Sequence, residues 1–140
     1  ARPRGRHRRR DVEQELRNLL RGDPDIAAQT DGRVNWTLHP QGAAYPALVL
    51  NVVSDLPGLS LSGPTGLFQG RVQIDAYALS SIDDAIRLGR AVTNLLHGHA
   101  GGGFRGVWQD GRRTSREGGT NEATRPYRVS LDFVTNWRAQ

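Results

Sequence analysis

Two hydrophobic rhythms alternate along this chain, one repeating about every 3.6 residues and one every two. Val12, Leu16, Leu19 and Leu20 share one helical face. Asp11 stands before them as an N-cap, Gln14 completes a capping-box pattern, and Gly22 occupies the place of a helix-ending glycine. Asp23-Pro24 predicts a second, short helical turn through Ile26 and Ala27. Asp31-Gly32 predicts a turn, residues 33–38 a short strand and residues 40–46 a connector. Residues 47–53 are almost continuously apolar, the pattern of a central strand covered on both faces. Residues 55–66, with two prolines and three glycines, predict a loop.

The two-residue rhythm then takes over. Phe68, Val72, Ile74, Ala76 and Ala78 point one way, and Gln69, Arg71, Gln73, Asp75 and Tyr77 the other. Ser80 or Ser81 caps the next helix, Asp83 and Asp84 sit in its first turn, and Ile82, Ala85, Ile86, Gly89, Val92 and Leu96 form its buried stripe before Gly98 ends it. Residues 98–119 hold eight glycines and four arginines; a strand is expected at 104–109, with Asp110-Gly111 as a type I′ hairpin turn. A last strand places Tyr127, Val129, Leu131, Phe133 and Trp137 inward and Arg128, Ser130, Asp132, Asn136 and Arg138 outward. These elements predict an α+β two-layer sandwich: a mostly antiparallel sheet of four to five strands, two helices on one face and a protruding hairpin loop.

The length of 140 residues suits one domain, expected over residues 11–140. Charge is unevenly placed. Arg2, Arg4, Arg6, Arg8, Arg9 and Arg10 account for the whole surplus of +5, since the other thirteen arginines face fourteen carboxylates. Residues 1–10 are expected to be a disordered basic arm on a nearly neutral body. The chain has no lysine and no cysteine, which excludes Schiff-base chemistry, a phosphate-loop lysine, disulfides and thiolate chemistry. No apolar run approaches the ~20 residues of a membrane helix, and no secretory signal is expected.

Candidate chemistry is sparse. Gly58-Leu59-Ser60-Leu61-Ser62-Gly63 resembles a nucleophile elbow only loosely, because the second glycine comes one residue late and no helix is expected after it. His97 and His99 lack a third ligand for a metal. Gly101-Gly102-Gly103 lacks the flanking elements and lysine of a phosphate loop and predicts a mobile insertion. The acid pairs Asp83-Asp84 and Glu13/Glu15 fit helix first turns rather than acid–base catalysis. No catalytic residue, cofactor or metal is expected. The arginine arm could hold nucleic-acid backbone without sequence preference, or be a solvated tail.

One constellation points to a family. Leu19-Leu20-Arg21-Gly22-Asp23 is followed by Gly32-Arg33-Val34 and Pro46-Ala47-Leu48-Val49-Leu50. Ser62-Gly63-Pro64-Thr65-Gly66-Leu67 then leads into Arg71-Val72-Gln73-Ile74-Asp75-Ala76-Tyr77-Ala78, and the chain closes on Tyr127-Arg128-Val129-Ser130-Leu131-Asp132-Phe133. Over roughly residues 11–138 this resembles the tail terminator (tail completion) proteins of long-tailed phages, prophages and gene-transfer particles. The resemblance implies a non-enzymatic structural protein at the head–tail junction of a virion, assembled in the host cytoplasm. It implies a ring, typically of six subunits, that caps the tail tube protein and receives a head-side connector or stopper while DNA passes through the centre. Leu61, Ser62, Gly63, Pro64, Thr65, Gly66 and Leu67, with Arg71, Gln73 and Asp75, are then the expected inter-subunit or ring contacts, and the six arginines of the arm a candidate DNA contact. The alternative is a small nucleic-acid-binding module working through that arm.

Overall fold

The computed structural model describes residues 4–60, 63–116 and 125–138. In chain order they form α1 (Arg4–Gly22), α2 (Pro24–Thr30), β1 (Val34–Trp36), β2 (Ala47–Ser60), β3 (Gly63–Ala78), α3 (Ile82–Leu96), β4 (Phe104–Arg116) and β5 (Tyr127–Arg138). The strands make one five-stranded sheet in the order β1-β2-β3-β5-β4. All pairings are antiparallel except β1 with β2, which is parallel. The α+β architecture is the expected one, with three helices among the described residues rather than two.

Helix α1 starts at Arg4, well ahead of Asp11. Asp11 is therefore an interior residue and not a cap, and residues 4–10, expected to be disordered, are helical. Two effects favour this. Arginine is a good helix former, and a helix already anchored further on extends without a new nucleation cost. The anchors are Leu16 and Leu20, both buried in the core. Asp23 caps α2 as its sequence predicts, its side chain accepting from the Ile26 amide at 3.1 Å.

One hydrophobic cluster joins the helices to one face of the sheet: Leu16, Leu20, Ile26, Leu88 and Val92 meet Leu48, Leu50, Ile74, Leu131 and Phe133. In α3, Gly89 lets the helix backbone lie close to β5; a Cβ there would meet Val129 Cγ1 at 3.1 Å. Two arginines clamp α1 to β1. Arg17 donates to the Val34 carbonyl and to Asn35 Oδ1 at 2.8 and 2.9 Å, and Arg21 to the Gly32 carbonyl at 3.1 Å.

Three expectations change. First, residues 47–53 are an interior, covered strand only in their first half: β2 lies between β1 and β3 as far as Leu50 and loses its β1 neighbour beyond it. Residues 47–50 are buried, but Val52 and Val53 are exposed. Second, residues 55–60 and 63–66, expected in a loop, are strand, while Leu61 and Ser62 lie outside the described residues. β2 and β3 stay paired as far as Ser60 and Gly63, making a long hairpin with irregularities at Val52/Ser54 and Pro57/Leu59. Beyond Leu50, β2 has no partner on its other side among the described residues, and such an edge tolerates a proline's missing donor. Third, Asp110-Gly111 is not a hairpin turn. It is a bulge within β4, where the register shifts between Gln109↔Phe133 and Gly111↔Asp132, so the two-strand pairing with β5 continues past it.

Candidate functional site

The hairpin outreaches its neighbours. β5 pairs with β3 only as far as Leu67↔Arg138, and β1 with β2 only as far as Trp36↔Leu50. The outer part of the hairpin is therefore a two-stranded extension among the described residues. Exposed Val52, Val53 and Leu56 lie on β2 beyond its pairing with β1, and exposed Leu67 stands where the pairing of β3 with β5 ends. Of the expected contact residues, Gly63, Pro64, Thr65, Gly66 and Leu67 belong to the start of β3, whereas Leu61 and Ser62 lie outside the described residues. The next described element after Ser60 is the strand β3, not the helix a nucleophile elbow requires.

Arg71, Gln73 and Asp75 continue β3 on the sheet face away from the helices. Each is engaged within the chain. Arg71 reaches across β5 to pair with Asp110. Arg113 joins Asp132 at 2.5 Å and donates to Gln73 Oε1 at 3.0 Å. The Gln73 amide donates to both oxygens of Asp75 at 3.0 and 3.1 Å, and the Ser130 hydroxyl to Asp75 Oδ1 at 2.6 Å. The outer face is thus a cross-linked plate of alternating charge over β3, β5 and β4. Asp75 is only 3% exposed.

Beside this plate lies a cleft that the sequence did not announce. Residues 37–46 link the parallel strands β1 and β2 and contribute Thr37, His39 and Tyr45 to its wall; Val49, Asn51, Gln73, Asp75 and Tyr77 supply others. The same neighbourhood accounts for burial of Val49, which is 4% exposed though it lies opposite Asp75 in the register. His39 stacks on Tyr45 at 4.6 Å, and Tyr45 faces Tyr77 at 6.5 Å. His39 Nε2 donates to the Ala43 carbonyl at 3.0 Å, and its Nδ1 is buried with no hydrogen-bond partner among the described residues. Thr37 adopts φ +76°, a costly conformation for a β-branched residue. Asp75 at an outward register position beside Tyr77 was the one sequence signal; the contribution of the connector had none.

The glycine-rich segment is a clasp rather than a mobile insertion where it is described. Glu15 accepts from the Gly103 amide at 2.9 Å and from Trp137 Nε1 at 2.7 Å. A Cβ on Gly102 would lie 1.8 Å from Glu15 Oε1, and one on Gly103 2.1 Å from Trp137 Nε1. Glu15 therefore ties α1 to β5, and Glu13 lends its carbonyl to Trp36 Nε1 at 3.1 Å. His97 Nδ1 accepts from the Gln109 amide at 2.9 Å, and His99 packs edge-on against Phe104. Asp84 lies at the start of α3, where Ser81 caps the helix. The Ser80 hydroxyl and the Arg87 guanidinium hold its carboxyl below the usual aspartate range, the former most strongly and against a smaller opposing effect of burial. Among the described residues, no group of three metal-ligating side chains converges and no helix is long and apolar enough to cross a membrane.

Comparison with known proteins fits this geometry. A chain of the virion of a native gene transfer agent (GTA) particle shares the fold, with a TM-score of 0.61 and 18% identity, over 87% of this chain and 90% of that one. A comparison with curated proteins gives no match. The family model for tail completion protein gp17 matches residues 14–136, nearly the whole chain. The protein belongs to this tail completion family and is a structural component of the tail of a phage-like particle.

Proposed function

We propose that the protein works as a closed ring, of six copies, that terminates the tail tube and presents the surface to which the head-side connector or stopper docks, with DNA passing through the centre. It acts by geometry, without catalysis. The observation that carries this reading is the β2–β3 hairpin, which among the described residues extends past both of its neighbouring strands in a member of the tail completion family. A ring requires two unlike surfaces on each subunit. A projecting hairpin bearing Leu61, Ser62, Gly63, Pro64, Thr65, Gly66 and Leu67 supplies one surface, and the stiff plate of Arg71, Gln73 and Asp75 gives it a rigid base. Removing residues 62–66 is expected to abolish ring formation and tail joining while the far-ultraviolet circular dichroism stays that of the parent. Rings that still close and still join tubes would refute the assignment of the hairpin.

Segregated charge favours a second role within the same assembly. Arg4, Arg6, Arg8, Arg9 and Arg10 fall within about 10 Å of helix axis, a density suited to phosphate backbone. Together with Arg2, which lies outside the described residues, they would sit near the DNA path. A chain beginning at Asp11 should still form rings but lose salt-sensitive affinity for duplex DNA; unchanged affinity would remove this role.

A further inference from the structure

The cleft on the outer face is lined by a buried carboxylate. Asp75 is nearly fully buried, yet among the described residues no cation pairs with it; its hydrogen bonds come from the neutral Ser130 hydroxyl and Gln73 amide. A carboxylate has about four acceptor directions, of which these contacts use three, and Asp75 lines the cleft. Burying such a charge without a counter-ion is costly. On this face Arg113 stops one group short, at Gln73 and Asp132. Arg128, on the cleft wall, directs its Nε to Ser115 on β4. Tyr45 and Tyr77 offer aromatic faces and Asn51 a side-chain oxygen. Carboxylate, ring faces and amide oxygen together match a guanidinium, which is planar, donates only and stacks on aromatic rings.

We propose that this cleft receives an arginine side chain from β4 of a second copy of the chain. The inference rests on the ring reading given above. The occupant follows from charge and position. The cleft lies over β2 and β3, toward the β1 edge of the sheet, whereas β4 forms the opposite edge. Arg105 and Arg112 on β4 are exposed and have no ion pair among the described residues. With no lysine in the chain, a cationic side chain from a second copy must be arginine or a charged histidine. An arginine-bearing edge meeting an acidic, aromatic cleft is a head-to-tail contact between unlike surfaces, the kind that closes a ring.

Sedimentation velocity of the full chain, alone and on purified tail tubes, tests this for the parent, Asp75→Asn, the pair Arg105→Gln with Arg112→Gln, and all three changes combined. Asp75→Asn and the arginine pair should each raise the concentration needed for closure by about tenfold or more, and the combined variant should be no worse than either. Closure at the parental concentration in either variant, or effects that simply multiply, would overturn the proposal. The exposed arginines keep the test decisive even if Asp75→Asn misfolds. A parent chain that closes no ring, alone or on tubes, would instead refute the ring reading on which the proposal stands.

Discussion

Glu15 shows how much of this fold depends on one side chain reaching far along the chain. Its carboxylate satisfies the buried Trp137 ring N–H and the Gly103 amide, 122 and 88 residues away in sequence. Those separations explain why the glycine triplet was misread: nothing local distinguishes a floppy run from one whose missing side chains make room for a carboxylate and an indole. Glu15→Ala should cost roughly 2–4 kcal/mol in denaturant unfolding, since two donors lose their acceptor. Gly103→Ala should cost about 1–3 kcal/mol by crowding Trp137. At the start of α3 the effect is one of pH. Asp84 titrates lower in the folded chain than in the unfolded one, so its contribution is present above the unfolded value and lost as pH falls through the folded one. Ser80→Ala removes the main cause. It should move the Asp84 carboxyl titration seen by NMR back up toward the ordinary aspartate position and weaken the acid dependence of stability in that window.

Elements were legible where periodicity was long and illegible where pairing overruled local chemistry. The alternation of Phe68, Val72, Ile74, Ala76 and Ala78 and that of β5 place the inward residues correctly, and the α3 stripe from Ala85 to Leu96 does the same. Pro57 and Asp110-Gly111 misled because each is a strong local breaker. Both sit at or beside a register irregularity, on β2 beyond its pairing with β1 and on β4 at the sheet edge, where an extra residue or a missing donor is tolerated. The Arg71–Asp110 pair that spans β5 is about half exposed, so Asp110→Ala should change stability by less than about 1 kcal/mol. Gly89→Leu is the contrasting case. The close approach of α3 to Val129 leaves no room, and a loss of about 3 kcal/mol or outright misfolding is expected, read by thermal unfolding.

At the level of the whole molecule, the architecture and the family were both readable, the first from rhythm and the second from the Ser62–Leu67 motif leading into its alternating strand. The cleft was not readable, because it forms only when residues 37–46 meet β2, β3 and the residues around Pro126. The arginine-rich start was half legible: its charge was plain, but its helix depends on anchorage supplied by Leu16 and Leu20. Both features matter for a molecule that works through contacts with copies of itself and with other tail proteins. Electron microscopy of the purified chain, with and without tail tubes, measures that most directly. Closed rings with a central channel seated on tube ends, their subunits touching through the β2–β3 hairpin, are expected. Tube ends decorated by isolated subunits, with the hairpins free of any neighbour, would contradict the ring.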